Sequence, residues 1–333
     1  MSQPLSLFRP LFRAPSSHLP GILLALVLAG AAMALSGGLG LALLSPLILA
    51  MGLGMAGRVL LGPLAAAEPG LRFARQHLLR AAIILLGFRL TLAEVGSLGL
   101  GVALAVAGTL AATFLLTRVL GRWLGVPAPL AELIAAGSAV CGASAIVACN
   151  TVTRGRDEDV AYAMACVALF GSLGMLACPV LAGPLGLDPR AYGLWTGASL
   201  HEVAQVMGAG FALGDEAGTV ATLAKLFRVA LLAPLVLMLG AGRRAGGTRP
   251  PMPWFVLGFL AAMVVNSLVP LPAVLLAGAA QLSAVLMAMA LAALGLGTDL
   301  GQLRRRGVRP LLLAGLAALF VSGFSLLALQ VLD

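Results

Sequence analysis

Apolar residues run along this chain in unbroken blocks, without the one-in-two alternation of a membrane barrel strand. Eleven blocks are close to the ~20 residues that a helix needs to cross a bilayer. They cover residues 19–35, 39–61, 78–95, 98–119, 131–152, 160–182, 192–213, 219–239, 254–269, 273–296 and 308–329. The pattern predicts an all-α polytopic membrane protein of about 11 transmembrane helices. The whole of 1–333 forms a single transmembrane domain, with 1–18 as a cytoplasmic N-terminal segment. The connections are too short to hold a soluble domain.

Composition agrees. Of 333 residues, 61% are hydrophobic and 10% charged, against about 25% charged in a soluble globule. The mean hydropathy is +1.06. The net charge of +9 belongs to positively charged cytoplasmic loops and not to nucleic-acid binding. Arg72, Arg75, Arg118, Arg122, Arg190, Arg243, Arg244, Arg249, Arg304, Arg305, Arg306 and Arg309 fall on one side of an eleven-span chain. Glu94, Asp215, Glu216 and Asp333 fall on the other. The N-terminus is then expected inside and the C-terminus outside. Arg154 and Arg156 break the rule, because this count places them outside. Arg9 and Arg13 precede a first span, not a cleaved leader. The four cysteines form no CxxC pair, so no metal site is expected. No nucleotide, protease or hydrolase motif is present, so neither an enzyme nor a cofactor is expected.

Two segments carry candidate chemistry. AAGSAVCGASAIVACN, from Ala135 to Asn150, is small and polar within an apolar span. One reading is tight helix packing. The other is a helix broken near Cys141 and Gly142, whose freed N–H groups favour an anion with help from Ser138 and Ser144. In GASLHEVAQVMGAG, His201, Glu202 and Gln205 lie among apolar residues. A continuous helix would put them on one face. A carboxylate this deep costs several kcal/mol, about 3 on insertion scales. Lys225 and Arg228, three apart in the next span, either snorkel, neutralise Glu202 or hold an anionic substrate. Arg89 and Asp299 end their spans as interfacial anchors. Residues 137–146 loosely match 197–206, and 86–92 loosely match 294–300. In an eleven-span count the first pair runs parallel, whereas inverted repeats need antiparallel partners.

GSAVCGASAI, DEDVAYAMACVALFGSLGM, YGLWTGASLHEVAQVMGAGFALG and ATLAKLFRVALLAPLVLMLG resemble the YeiH-type bacterial inner-membrane proteins, which are generally named sulfate exporters. More distantly, CGASA and HEVAQ look like the broken crossover helices of the bile-acid symporter and sodium/proton antiporter group. That resemblance implies that Cys141, Gly142, Ser144, Glu202 and Gln205 meet at mid-membrane. The sequence departs from that group in placing His201 before the Glu, and in separating the motifs by only about 60 positions.

Together these imply a secondary transporter of a small anion in the bacterial inner membrane; export, and sulfate or an organosulfonate as the substrate, are what the resemblance implies. Its substrate site draws on Ser138, Cys141, Gly142, Ser144, His201, Glu202, Gln205, Lys225 and Arg228. His201 and Glu202 are the candidates to carry a coupling proton. A homo-oligomer is compatible with this reading. The alternative is a membrane sensor or scaffold with a structural polar core.

Overall fold

A computed structural model describes residues 18–39, 45–62, 64–96, 99–241, 254–298 and 307–330. Arg9, Arg13, Arg243, Arg244, Arg249, Asp299, Arg304, Arg305, Arg306 and Asp333 lie outside the described residues, as does the side chain of Glu94. Every described element is helical. Among the described residues, six helical stretches are long and apolar enough to cross a membrane.

The helices form two bundles. The first, the scaffold, contains α1 (Leu19–Leu39), α2 (Pro46–Leu61), α14 (Trp254–Leu268) and α15 (Ala273–Gly297). It also holds a composite helix: α3 (Glu68–Phe73), a π turn (Ala74–Leu78), α4 (Leu79–Leu86) and a 3-10 turn (Gly87–Arg89), followed by the short α5 (Leu92–Gly96). Here small residues bring backbones together. A Cβ on Gly54 would strike the carbonyl of Ala292, and one on Gly295 would strike that of Met51. Such close approach is how helices associate where lipid removes the hydrophobic drive. A few side chains bond across: Ser283 Oγ donates to the Ala82 carbonyl at 2.8 Å and Asn266 Nδ2 to that of Leu90 at 3.1 Å.

The second bundle contains α6 (Gly99–Trp123), α7 (Ala128–Ala139), α8 (Ala143–Thr153), α9 (Asp157–Ala182), α10 (Pro189–Ser199) and α11 (Val203–Gly210). It is completed by α12 (Asp215–Ala230), α13 (Leu232–Ala241) and α16 (Val308–Gln330). At 12 and 11 residues, α7 and α8 are each roughly 16–18 Å long, about half a hydrocarbon core. They do not continue one another. Thr153, the last residue of α8, donates from Oγ1 to Glu132 Oε1 at 2.5 Å, in the second turn of α7. The chain therefore turns back on itself. The same holds for α10 and α11, where Tyr192 Oη donates to the Ala209 carbonyl at 2.9 Å.

This corrects two sequence expectations. Segments 131–152 and 192–213 are not single crossings but re-entrant helical hairpins, and so they are not crossover helices either. The composition is apolar enough for a span, but the break allows the chain to reverse. The hairpins enter from opposite ends of the bundle. Helix α9 leaves the mouth of the first hairpin and runs 26 residues, roughly 39 Å, before a short connection reaches the mouth of the second. A hairpin followed by a long helix thus occurs twice with inverted orientation, α7–α8–α9 and α10–α11–α12–α13. The parity objection to pairing 137–146 with 197–206 disappears.

The two bundles meet mainly through α11, which lies against α2 and α15. Ser45 Oγ donates to the Gly208 carbonyl at 3.4 Å. At the mouth of the second hairpin, Arg89 pairs with Asp215 at 2.8 Å and lies over the Phe211 ring.

Candidate functional site

Three residues make each hairpin tip. In the first, Val140, Cys141 and Gly142 separate α7 from α8. Gly142 has φ +66°, and a Cβ there would lie 2.6 Å from Glu202 Cγ. Both the left-handed turn and the approach of the second hairpin require glycine. In the second tip, Leu200, His201 and Glu202 are non-helical, with Leu200 and Glu202 extended. Superposing the loose repeat 137–146 on 197–206 aligns these breaks residue for residue: Val140 with Leu200, Cys141 with His201, Gly142 with Glu202.

The tips touch. The Ala143 N–H, first in α8, donates to Glu202 Oε1 at 3.4 Å. Glu202 also caps α11, and its own N–H donates to Gln205 Oε1 at 3.0 Å. Gln205 is fully buried, and its Nε2 donates to the Ala168 carbonyl of α9 at 3.4 Å. The expected single helical face for His201, Glu202 and Gln205 is therefore replaced by a capped break, with Gln205 bonding back to the cap. One carboxylate sits at two helix N-termini, where partial positive charge favours it.

The opposite helix ends converge on α12. Carbonyls at the C-termini of α7 and α10 lack intrahelical partners, and no water reaches them in a bilayer. Arg228 answers with all five of its N–H donors. Nε donates to Ala139 at 3.1 Å; Nη1 to Ala198 at 2.5 Å and Leu200 at 3.2 Å; Nη2 to Ser138 at 2.9 Å and Ala139 at 2.6 Å. Lys225 Nζ donates to Val140 at 2.8 Å and Leu200 at 2.6 Å. Both side chains are fully buried, which excludes snorkelling. Neither forms an ion pair with Glu202 among the described residues. Arg228 has no donor left for a substrate; it ties the two tips together, and Lys225 retains one N–H.

The remaining predicted residues are distributed around this crossing. Cys141 is buried at the first tip, and Ser138 is buried with its carbonyl on Arg228. Ser144 is exposed on the first turn of α8. His201 is buried, and its Nδ1 has no hydrogen-bond partner; the same is true of Ser199 Oγ. Buried polar atoms left open in this way call for a ligand or water. Ser199 escaped the sequence reading because a serine in a small-residue stripe has no distinguishing neighbour. Among the described residues no cluster of His, Cys, Asp or Glu could hold a metal ion.

Paired re-entrant hairpins of opposite entry, tip to tip inside a bundle of long apolar helices, define a multi-helix membrane protein with a polar centre. Comparison with known proteins places it further. Residues 20–314 match the family described as conserved hypothetical protein 698. A UPF0324 membrane protein of Pseudomonas aeruginosa is 42% identical over 318 residues, 90% of each chain. The UPF0324 inner membrane protein YeiH of Salmonella typhimurium is 37% identical over 257 residues, 74% of each chain. A UPF0324 membrane protein of Corynebacterium glutamicum is 38% identical over 277 residues, 81% of this chain and 80% of its own. The chain belongs to this YeiH-type family. No solved structure matches it.

Proposed function

We propose that the protein is a secondary transporter of a small oxyanion, sulfate or an organosulfonate, in the bacterial inner membrane. The observation that carries this reading is the tip-to-tip meeting of two oppositely entering hairpins. Such breaks concentrate helix-end charge at mid-membrane and are characteristic of transporter binding sites. The α8 N-terminus, the open His201 Nδ1 and Ser199 Oγ, and the residual N–H of Lys225 supply donors for an anion. Glu202 competes for the same N–H groups. It is the group to take up a proton when the anion displaces it, with His201 as its neighbour. Sulfate as the substrate and outward direction rest on the family resemblance, and inner-membrane residence on the name of the YeiH relative. Because Arg228 joins both tips, access alternates by movement of the hairpin bundle against the scaffold, across the sparse contact at α11.

This reading also sets the topology at nine crossings plus two re-entrant hairpins, with the N-terminus inside. Arg154 and Arg156 then lie inside, in agreement with the positive-inside rule, and Arg190 moves to the outside. In a cysteine-free background, Arg156→Cys is expected to label only from the cytoplasm and Glu216→Cys only from outside. Labelling of both from outside restores eleven crossings. The functional test is uptake of labelled sulfate and methanesulfonate into proteoliposomes under an imposed pH gradient. Uptake no greater than in empty liposomes, whichever way the gradient runs, refutes the transporter reading.

A further inference from the structure

The scaffold helix between Glu68 and Arg89 is interrupted by the π turn Ala74–Leu78. Single π turns within α-helices persist chiefly where function uses them. Arg75 lies in this turn, roughly 10 Å along the helix from Glu68. Its side chain is only 21% exposed. Its guanidinium covers Gly297 of α15, where any Cβ would occupy the place of Nη1. Nη2 donates to Glu68 Oε1 at 2.6 Å, and Glu68 is itself 42% exposed. Helix α11 of the other bundle packs on the same α15: a Cβ on Gly208 would lie 3.8 Å from Leu291 Cδ1, so Gly297 and Glu202 each lie six residues beyond that contact, away from the end where Arg89 meets Phe211. The other basic residues at this end are disposed differently. Arg72 is exposed, Arg80 lies over the Phe255 ring, and Arg58 bonds the carbonyl of Gly62.

A cation this little exposed in a membrane protein needs an anionic neighbour. Arg75 has a half-exposed, exchangeable one in Glu68 and a second carboxylate across the bundle interface. We infer that Arg75 is the scaffold's contact with the transported anion: the guanidinium leaves Glu68 to grip an oxyanion held at the hairpin tips. The planar fork of arginine fits two oxygens of a sulfate or sulfonate, and a halide cannot use that geometry. Arg75 thus contributes selectivity for oxyanions as well as charge. The inference rests on the anion-transport reading above.

The test is titration of the purified full chain with sulfate, and separately with chloride, by calorimetry and thermal shift. Arg75→Met is expected to weaken sulfate by about tenfold or more, a loss of ~1.4 kcal/mol, and Arg72→Met to leave it unchanged. Arg75→Lys keeps the charge and is expected to lower the preference for sulfate over chloride. Glu68→Gln releases the guanidinium and is expected to tighten sulfate. Gly297→Ala displaces Arg75 without altering charge and is expected to act like Arg75→Met. It replaces that variant if the latter does not accumulate. Unchanged sulfate affinity in Arg75→Met, or in Gly297→Ala used in its place, overturns the inference. If the wild-type chain binds neither sulfate nor methanesulfonate, it is the transporter reading that fails.

Discussion

The scaffold and the hairpin bundle solve the same solvent problem in different ways. In the scaffold, α2 and α15 approach through Gly54 and Gly295, and each long helix satisfies its own backbone. In the hairpin bundle, helices end inside the bundle, and the backbone groups left over are met by charged side chains. Glu202 serves the N-termini, and Lys225 and Arg228 serve the C-termini. Continuity of the helix therefore decides whether a buried charge is a cost or a requirement. The polar residues that look functional in such a chain are first of all those that permit the breaks.

The variant expected to break this contrast most strongly is Arg228→Met. It leaves carbonyls of both tips without partners in a dry interior. The loss should reach about 3–5 kcal/mol, the scale for stripping one partner from a buried charged contact. It is read as failure to accumulate or as a collapse in thermal stability. Glu202→Gln added to it should not restore stability, since the two are not an ion pair. Recovery in the double variant would return Arg228 to the role of counter-ion.

Next comes Gly142→Ala, which strains a left-handed turn and pushes on Glu202. A loss of about 1–3 kcal/mol is expected, together with loss of the proposed sulfate transport. In the scaffold, Gly54→Ala should cost a similar 1–3 kcal/mol or so by overpacking. Sulfate affinity of the folded fraction should stay unchanged, since the atoms a Cβ on Gly54 would meet are backbone atoms of Ala292 and Gly295 and belong to neither tip. Calorimetric titration of that fraction decides whether the two bundles divide stability and binding in this way.

Glu202→Gln should leave stability almost intact, because Gln still accepts from Ala143, and should abolish the pH dependence of transport. Retained pH dependence would move proton coupling elsewhere. The smallest effect belongs to Arg89→Gln. Its partner Asp215 is 75% exposed, so the pair should contribute less than about 1 kcal/mol, measurable as a negligible shift in melting temperature.

Much of this was legible in the sequence. Apolar blocks located the long helices, and Cys141 and Gly142 marked the first break, because a glycine in a small-residue run suits a turn; the second break was implied only by the resemblance of HEVAQ to broken crossover helices, since His201, Glu202 and Gln205 by themselves suit one face of a continuous helix. What hydropathy cannot encode is direction. A segment such as 131–152 is apolar enough to cross, and that it turns back is seen only in the structure, where its two ends meet at the bond from Thr153 to Glu132. The misplaced charges Arg154 and Arg156 were the one available sign that it returns. The role of Arg228 was hidden for another reason. Its partners are carbonyls, which every residue carries, so no pattern of side chains announces them. Arg75 looked like a loop residue because Arg72 and His77 surround it, and the π turn that sinks it leaves no sequence mark.

The bond from Arg228 to Ser138 spans 90 residues of chain, and this has a consequence for biogenesis. The first hairpin leaves the ribosome well before the guanidinium that completes it. At about 5–20 residues per second, the exposed end of α7 waits roughly 5–20 s for α12 to arrive. During that interval the hairpin must stay near the membrane surface or be held by the insertion machinery. A nascent chain arrested before residue 228 should therefore leave Cys141 open to water-soluble thiol reagents, and one arrested well beyond α12 should protect it.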